Sequence, residues 1–304
     1  MAYDLTQPMV IGISSRALFD LEEENRIFEE QGLEIYEAYQ VQHEREVLQK
    51  GPAFQLVEAF LALNQLSQQR LVEVIVMSRN SPDTCLRIFN SIEHYGLDVT
   101  RAALTGGAAI APYLHAFKTD LFLSAYRPDV QQAIDSNIAA GVILPGSVRN
   151  RDMEVGQIRI AFDGDAVLFS ADSERIFQKE GLNAFENHER SKADIPMQEG
   201  PFANFLRTIA HIQGCFADRD AVPIRTALVT SRNAPAHERA IKTLRQWGVR
   251  VDEAYFMGGV KKTEVLSAFG AHIFFDDQYT HAEPASEVVP AAVVPYREGD
   301  DPRA

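Results

Sequence analysis

The run QIRIAFDGD, residues 157–165, decides how this chain folds: a short apolar stretch that stops on two carboxylates flanking a glycine. Bounded by a polar turn, it reads as a strand buried in a sheet. Helical patterns follow at about 172–190 and 201–213, the second opened by Gly200-Pro201, where proline's fixed φ suits a first turn. IRTALV (224–229) is a second strand running into TSRN, and a helix at about 235–247 closes on Gly248. A short strand near AYFM ends at Gly258-Gly259, a helix spans about 262–269, and AHIFF (271–275) runs into Asp276-Asp277. Beyond about residue 281 the tail is rich in Ala, Val, Pro and acids, which predicts one strand and a frayed end. Strands alternating with helices imply an α/β fold, a parallel sheet with helices on both faces.

Working outward, the same grammar occurs earlier in the chain. Displaced by 149 residues, Ile11–Pro52 lies over Ile160–Pro201 without a gap, and Ala17, Arg26, Ile27, Phe28, Gly32, Leu33, Glu37, Gln49, Gly51 and Pro52 meet identical residues. The displacement becomes 153 where MSRNSP (77–82) faces TSRNAP (230–235), and 152 where Gly106-Gly107 face Gly258-Gly259. Three matches in one order predict a tandem duplication of Rossmann-like units, residues 1–150 and 151–304, with the boundary near 140–157. Helical residues at about 171–222 would form a small cap inserted in the second unit. A length of 304 residues suits two domains.

Composition narrows the function. Hydrophobic residues at 46% and charged residues at 24% are ordinary for a globular chain. A balance of 29 basic against 43 acidic residues, net −14, argues against broad nucleic-acid binding and against docking on an anionic membrane. No apolar stretch is long enough to span a bilayer, and the opening MAYDLTQPMVIGISSR lacks the basic-then-apolar order of a secretion signal. Cys85 and Cys215 form no disulfide framework and no metal-ligand spacing, so a reducing cytoplasm is the expected compartment. Assembly with further copies is left open.

In open parallel sheets, ligands bind beyond the carboxyl ends of the strands. Asp163 and Asp165 follow the first strand of the second unit, Thr230 and Ser231 the second, Lys262 opens the later helix, and Asp276 and Asp277 follow the last strand. Four carboxylates converging on one edge repel one another unless a cation joins them. Hard oxygen donors suit Mg²⁺, which keeps waters and accepts phosphate oxygens. An aspartate can attack phosphorus and carry an aspartyl-phosphate. A second carboxylate two residues on can protonate the leaving oxygen and then deprotonate water. Thr and Lys side chains can stabilise the transferring phosphoryl group.

The order Asp-x-Asp, Thr, Lys, Asp-Asp resembles the haloacid dehalogenase superfamily of Mg²⁺-dependent phosphohydrolases. The stretches GISSRALFDLEEENRIFEEQG, AFDGDAVLFSADSERI, KTLRQWG and HIFFDDQ resemble the cytosolic 5′-nucleotidase type I family, over about residues 8–296. That resemblance implies hydrolysis of nucleoside 5′-monophosphates such as AMP, IMP or some deoxynucleotides. It implies Asp163 as nucleophile, Asp165 as general acid and base, Thr230 as phosphate-binding hydroxyl and Lys262 as phosphate-orienting ammonium. Asp163, Asp165, Asp276 and Asp277 would be the metal-side acids. Ala166-Val167 stand where the superfamily places a Thr. Lys261 competes with Lys262, and helical phase favours the latter. Hydrolysis of another small phosphomonoester, or nucleotide binding without turnover, are the alternatives.

The first unit carries Ser14 for Asp163, Arg16 for Asp165, Ile110 for Lys262, Ser124 for Asp276 and Ala125 for Asp277, and reads as catalytically empty. Ser231 has a counterpart in Ser78, and Arg232-Asn233 recur as Arg79-Asn80, which favours packing or contacts between the units. Thr230 could equally serve a helix start. Phe185 reads as a buried hydrophobe rather than a base-stacking surface, Trp247 as core, and Glu22–Glu24 as a solvated helix start.

Overall fold

The computed structural model describes residues 4–145, 157–216 and 222–302. The expected boundary at 140–157 therefore lies largely outside the described residues, as do residues 217–221 of the expected cap. Ten strands are present: β1 Met9–Ile13, β2 Val72–Ser78, β3 Arg101–Leu104, β4 Leu121–Ser124, β5 Ala139–Ile143, β6 Ile158–Phe162, β7 Ile224–Thr230, β8 Glu253–Phe256, β9 Ile273–Asp276 and β10 Ala291–Val293. The central ones, such as MVIGI in β1 and IFFD in β9, are buried along their whole length, as strands covered on both faces must be.

All ten belong to one sheet, in the order β3-β2-β1-β4-β5-β10-β9-β6-β7-β8. Two separate sheets were expected. The difference comes from β5 and β10, which pair antiparallel (Ala292 with Ile143, Val293 with Val142), while every other neighbouring pair is parallel. Joining the two leaves neither edge unpaired. The seam is tight: a Cβ on Gly141 would lie 2.9 Å from the Cβ of Ala292 and 3.2 Å from the Phe275 ring. Because the seam is antiparallel, the carboxyl ends of β1–β5 and of β6–β10 open on opposite edges of the sheet.

The helices His237–Gln246, Thr263–Phe269 and Ala203–Gly214 lie where the sequence pattern puts them. Ala203–Gly214 buries Phe205, Leu206, Ile209 and Ile212, one stripe of an amphipathic helix. The helix expected over 172–190 is instead two, Asp172–Glu180 and Leu182–Ser191, broken at Gly181. Gly181 has φ +82°, a conformation that side-chain-bearing residues avoid, and Gly32 (φ +86°) breaks Glu22–Gln31 from Leu33–Gln42 in the same way. A helix over Tyr279–Ser286 was not expected, because Pro284 and the Ala-rich tail speak against one. Glu22 and Glu23 are exposed, but Glu24 is buried against Arg87 at 2.6 Å. Phe185 is buried, and Trp247 is half-buried with its ring 5.6 Å from Phe169.

The strands that carry the expected site are stitched by His272, just before β9. The Arg159 N–H donates to His272 Nδ1 (3.1 Å), and the His272 N–H donates to Arg159 O (2.7 Å). Burial, reinforced by the Arg159 charge, pushes the imidazole down to about 4. The folded state thus holds His272 neutral where the unfolded chain protonates it, near pH 6.5. Its contribution is complete above pH 6.5 and is lost as the pH falls towards 4. In urea unfolding at a series of pH values, His272→Asn should reduce the loss of stability over this window, which amounts to no more than about 3 kcal/mol. At the seam, Gly141→Val should lower stability by about 1–3 kcal/mol through overpacking, read as a drop in the urea midpoint.

Candidate active site

β6 ends on Phe162 and β9 on Asp276, and the Asp163 N–H donates to Phe275 O at 2.8 Å, so the two strand ends are fixed side by side. Asp163 Oδ1 accepts from the Gly164 N–H (2.7 Å), and Asp276 Oδ1 accepts from the Gln278 N–H (2.9 Å). Lys262 stands at the start of the helix Thr263–Phe269. Its Nζ is 2.7 Å from Asp276 Oδ2 and 3.0 Å from Asp163 Oδ2. Lys262 is buried and Lys261 exposed, so the geometry brings Lys262 to the carboxylates. Thr230 ends β7, buried, and a Cβ on Gly164 would lie 3.1 Å from its Oγ1. Ser231 is exposed.

Charge is unevenly matched here. Asp163, Asp276 and Asp277 are all buried, against the one ammonium of Lys262. Burial and the charges of Asp276 and Asp165 push Asp163 up to about 7 against the pull of Lys262. Asp276 is held below the ordinary carboxylate range: burial works against this, but Lys262 and His281 outweigh it. Asp277 is raised, by burial and then by the two neighbouring carboxylates, although the Tyr296 hydroxyl donates to it. The ammonium sits closer to Asp276 than to Asp163 and cannot neutralise both. The cluster therefore takes up protons or a cation.

Asp163, Asp276 and His281 place one possible ligand atom each within 4.8 Å of one another. His281 Nδ1 lies 3.4 Å from Asp276 Oδ1. A carboxylate pair and an imidazole, two of the three buried and undercharged, fit a divalent cation. Asp277 and Asp165 stand in the same wall but are engaged elsewhere, Asp277 by Tyr296 and Asp165 by Arg232.

Arg232 does not bridge the two halves. It is buried and forks onto Asp165, Nη2 to Oδ1 at 2.6 Å and Nε to Oδ2 at 2.7 Å. Nη1 meets Glu189, whose other oxygen takes Arg239 Nη1 and the Ser173 hydroxyl, both at 2.9 Å. The Phe185 ring lies 5.3 Å beneath the guanidinium. The strand registers also move the SRN match by one residue. Ile13 pairs with Val76 and Phe162 with Leu228, so Ser78 ends β2 as Thr230 ends β7. The Asn80 N–H donates to Ser78 Oγ and the Arg232 N–H to Thr230 Oγ1, so Asn80 holds the place of Arg232. Ser14 and Ser124 likewise occupy the places of Asp163 and Asp276: the Ser14 N–H donates to Leu123 O, and the Tyr126 N–H to Ser124 Oγ. His281, Tyr296 and Glu189 were not found from the sequence. The first two lie in the tail whose helix was unexpected, and Glu189 sits in a helix whose spacing carries no motif.

An α/β sheet with a buried cluster of carboxylates and one lysine at a strand edge is what the fold and these side chains define, and comparison with known proteins gives the family. A family profile described as 5′-nucleotidase matches residues 1–301, and the chain belongs to that family. It is 38% identical over 292 residues to human cytosolic 5′-nucleotidase 1B, a match covering 92% of this chain and 47% of the relative, so the chain spans about half the length of that protein. No solved structure matches. Among the described residues, no helix is long and apolar enough to cross a membrane.

Removing the shared cation should be costly. Lys262→Met leaves buried carboxylates without their partner, and unfolding in urea with a chelator present should show a loss of about 3 kcal/mol. The loss should be clearly smaller when the same change is made in an Asp276→Asn background.

Proposed function

We propose that this chain is a Mg²⁺-dependent hydrolase of nucleoside 5′-monophosphates, acting through an aspartyl-phosphate on Asp163. The observation that carries the reading is the buried Asp163–Lys262–Asp276 cluster at the strand edge of a 5′-nucleotidase family member. The family and the human relative favour nucleotides over other phosphomonoesters as substrate. Asp163 and Asp276, with His281 and Asp277 beside them, would hold the ion, and Asp165 would take part through the loop it shares with Asp163. When bound, Mg²⁺ supplies positive charge to the phosphate oxygens and to the undercharged carboxylates.

The side chains divide the work. Lys262 and the Thr230 hydroxyl orient the phosphate. The Asp163 carboxylate attacks phosphorus as the bond to the nucleoside 5′-oxygen breaks, and Asp165 gives that oxygen a proton. Asp165 then takes a proton from the water that attacks the aspartyl-phosphate, which releases phosphate and restores Asp163. Both oxygens of Asp165 accept from Arg232 in the present arrangement. To act as an acid, Asp165 must give up part of that fork when substrate enters. Because Glu189 holds the far side of Arg232, the helix Leu182–Ser191 is tied to this proton.

The haloacid dehalogenase-like reading, the tandem duplication and the cap belong to the same proposal. The first unit would be residues 1–150 and the catalytic unit 151–304, with a cap at about 171–222. Supporting it, β1–β5 and β6–β10 repeat one strand order, β2 and β4 flanking β1 as β7 and β9 flank β6. Both units also break a helical hairpin at the corresponding glycine, Gly32 and Gly181. A cytoplasmic setting follows the name of the human relative.

The test is a phosphate-release panel of AMP, IMP, dCMP and sugar phosphates, with Mg²⁺ and with chelator. Mg²⁺-dependent release from a nucleotide is expected, falling by about 10³-fold or more in Asp163→Asn with the fold intact. Release from sugar phosphates but from no nucleotide would overturn the substrate, and full activity in Asp163→Asn would overturn the nucleophile.

A further inference from the structure

The strand edge of β1–β5, opposite the candidate active site, opens into a cavity of about 600 Å³, a volume typical of small-molecule sites. Its floor is the counterpart of the candidate catalytic cluster with serines in place of the acids, although Glu24, Glu29, Glu37 and Asp129 also line the cavity. Hydroxyls of Ser14, Ser78 and Ser124 stand where the other edge has Asp163, Thr230 and Asp276, and Arg16 stands in the place of Asp165. The donors that suited a cation are gone. Two guanidiniums, Arg16 and Arg79, line the cavity instead, and each has a buried Nε that donates to nothing. Arg16 gives a terminal nitrogen to Asn25 (2.7 Å), and Arg79 lies over the Tyr126 ring (5.6 Å), so both are held in place.

The roof, by contrast, is kept. Phe28 and Tyr36 meet edge to face at 5.8 Å, and Phe177 and Phe185 repeat this over the other edge at 6.2 Å. Phe28 is about half exposed in the cavity wall, a free aromatic face. Beside it, Asn80 Nδ2 is buried without a hydrogen bond, while Asp129 Oδ1 lies 3.8 Å from Arg79 Nη1 and helps to hold that guanidinium. The ionic chain of Asp165, Arg232 and Glu189 becomes a neutral one here: Gln40 donates to the Tyr36 hydroxyl, which donates to Asn80.

We infer that this cavity is a second ligand site, binding a mononucleotide by its phosphate on Arg16, Arg79 and the three serines, without a metal and without hydrolysis. The guanidiniums supply the positive charge that the ion would supply at the other edge. The aromatic roof takes the base, and Asn80 takes its polar edge or a sugar hydroxyl. No group in the place of Asp163 can attack phosphorus in the manner proposed for the other edge. In naming a nucleotide rather than another phosphorylated ring, the inference rests on the proposed function.

The test uses the full chain with chelator present and AMP as probe, ribose 5-phosphate and adenosine being the controls. Calorimetry gives the affinity, and hydrogen exchange reports protection of residues 22–42 and 172–191 separately. AMP should protect 22–42 and bind at least tenfold more tightly than ribose 5-phosphate or adenosine. Arg16→Ala and, separately, Arg79→Ala should weaken that binding at least tenfold. No binding in chelator, protection confined to 172–191, or binding indifferent to both arginine changes would overturn the site. Tighter binding of ribose 5-phosphate than of AMP would overturn the ligand class. Phosphate release reads the other edge, so failure of the hydrolase reading and failure of this one are seen separately.

Discussion

One ammonium shared between two buried carboxylates organises the candidate active site of this protein. Lys262 is drawn in by Asp163 and Asp276 from the start of its helix, and those two residues are the first positions beyond the paired core of β6 and at the end of β9. A lysine buried among aromatic rings, with Phe274 5.4 Å from its Nζ, keeps its charge only because both carboxylates face it. The same scarcity of positive charge leaves Asp163 raised and Asp277 protonated more readily than a solvated acid. An edge left undercharged in this way would need further cationic help to receive any anion. The overall excess of acids, which argues against nucleic acid, thus acquires a local meaning.

A second, separate electrostatic unit lies beside it. Asp165, Arg232, Glu189 and Arg239 make two carboxylates against two guanidiniums, a balanced chain running from the loop after β6 to the helix Leu182–Ser191. The counterpart on the other edge keeps the geometry and drops the charge, using Asn80, Tyr36 and Gln40. One scaffold therefore supports two edges of different chemistry, because the backbone contacts that place these residues do not depend on which side chains are carried.

Much of the candidate active-site edge was legible in the sequence, for physical reasons that can be named. Strand ends were marked by an abrupt change from apolar residues to acids, so Asp163 and Asp276 could be placed. Helical phase separated Lys262 from Lys261. What was hidden depended on long-range geometry. His281 and Tyr296 belong to a tail whose composition suggested no helix, and their closeness to Asp276 and Asp277 arises only when β10 lies beside β9. The SRN identity misled by one residue: matching letters outweighed strand register, and Arg232 was read as a repeat of Arg79 although its backbone place is that of Asn80. The single continuous sheet was equally invisible, since the antiparallel pairing of β5 with β10 is made by short apolar strands that carry no motif.

That seam explains why the chain keeps a half without the acids. Gly141 of β5 lets the Phe275 ring lie against it, and Phe275 in turn stacks on Phe162 at 5.7 Å. Asp276 and Asp163 are the very next residues, so the ring pair sets the spacing of the carboxylates that share Lys262. The helix Arg127–Asp135 of the first half holds the tail as well: Gln131 donates to Tyr296 O at 2.8 Å, and the Glu298 N–H donates to Asp135 Oδ1 at 2.9 Å. Tyr296 is the residue whose hydroxyl reaches Asp277. The first half is thus a wall of the candidate active-site edge even though its own strand ends face the other way. The second half folded without it would lose both the surface behind Phe275 and the anchor of Tyr296.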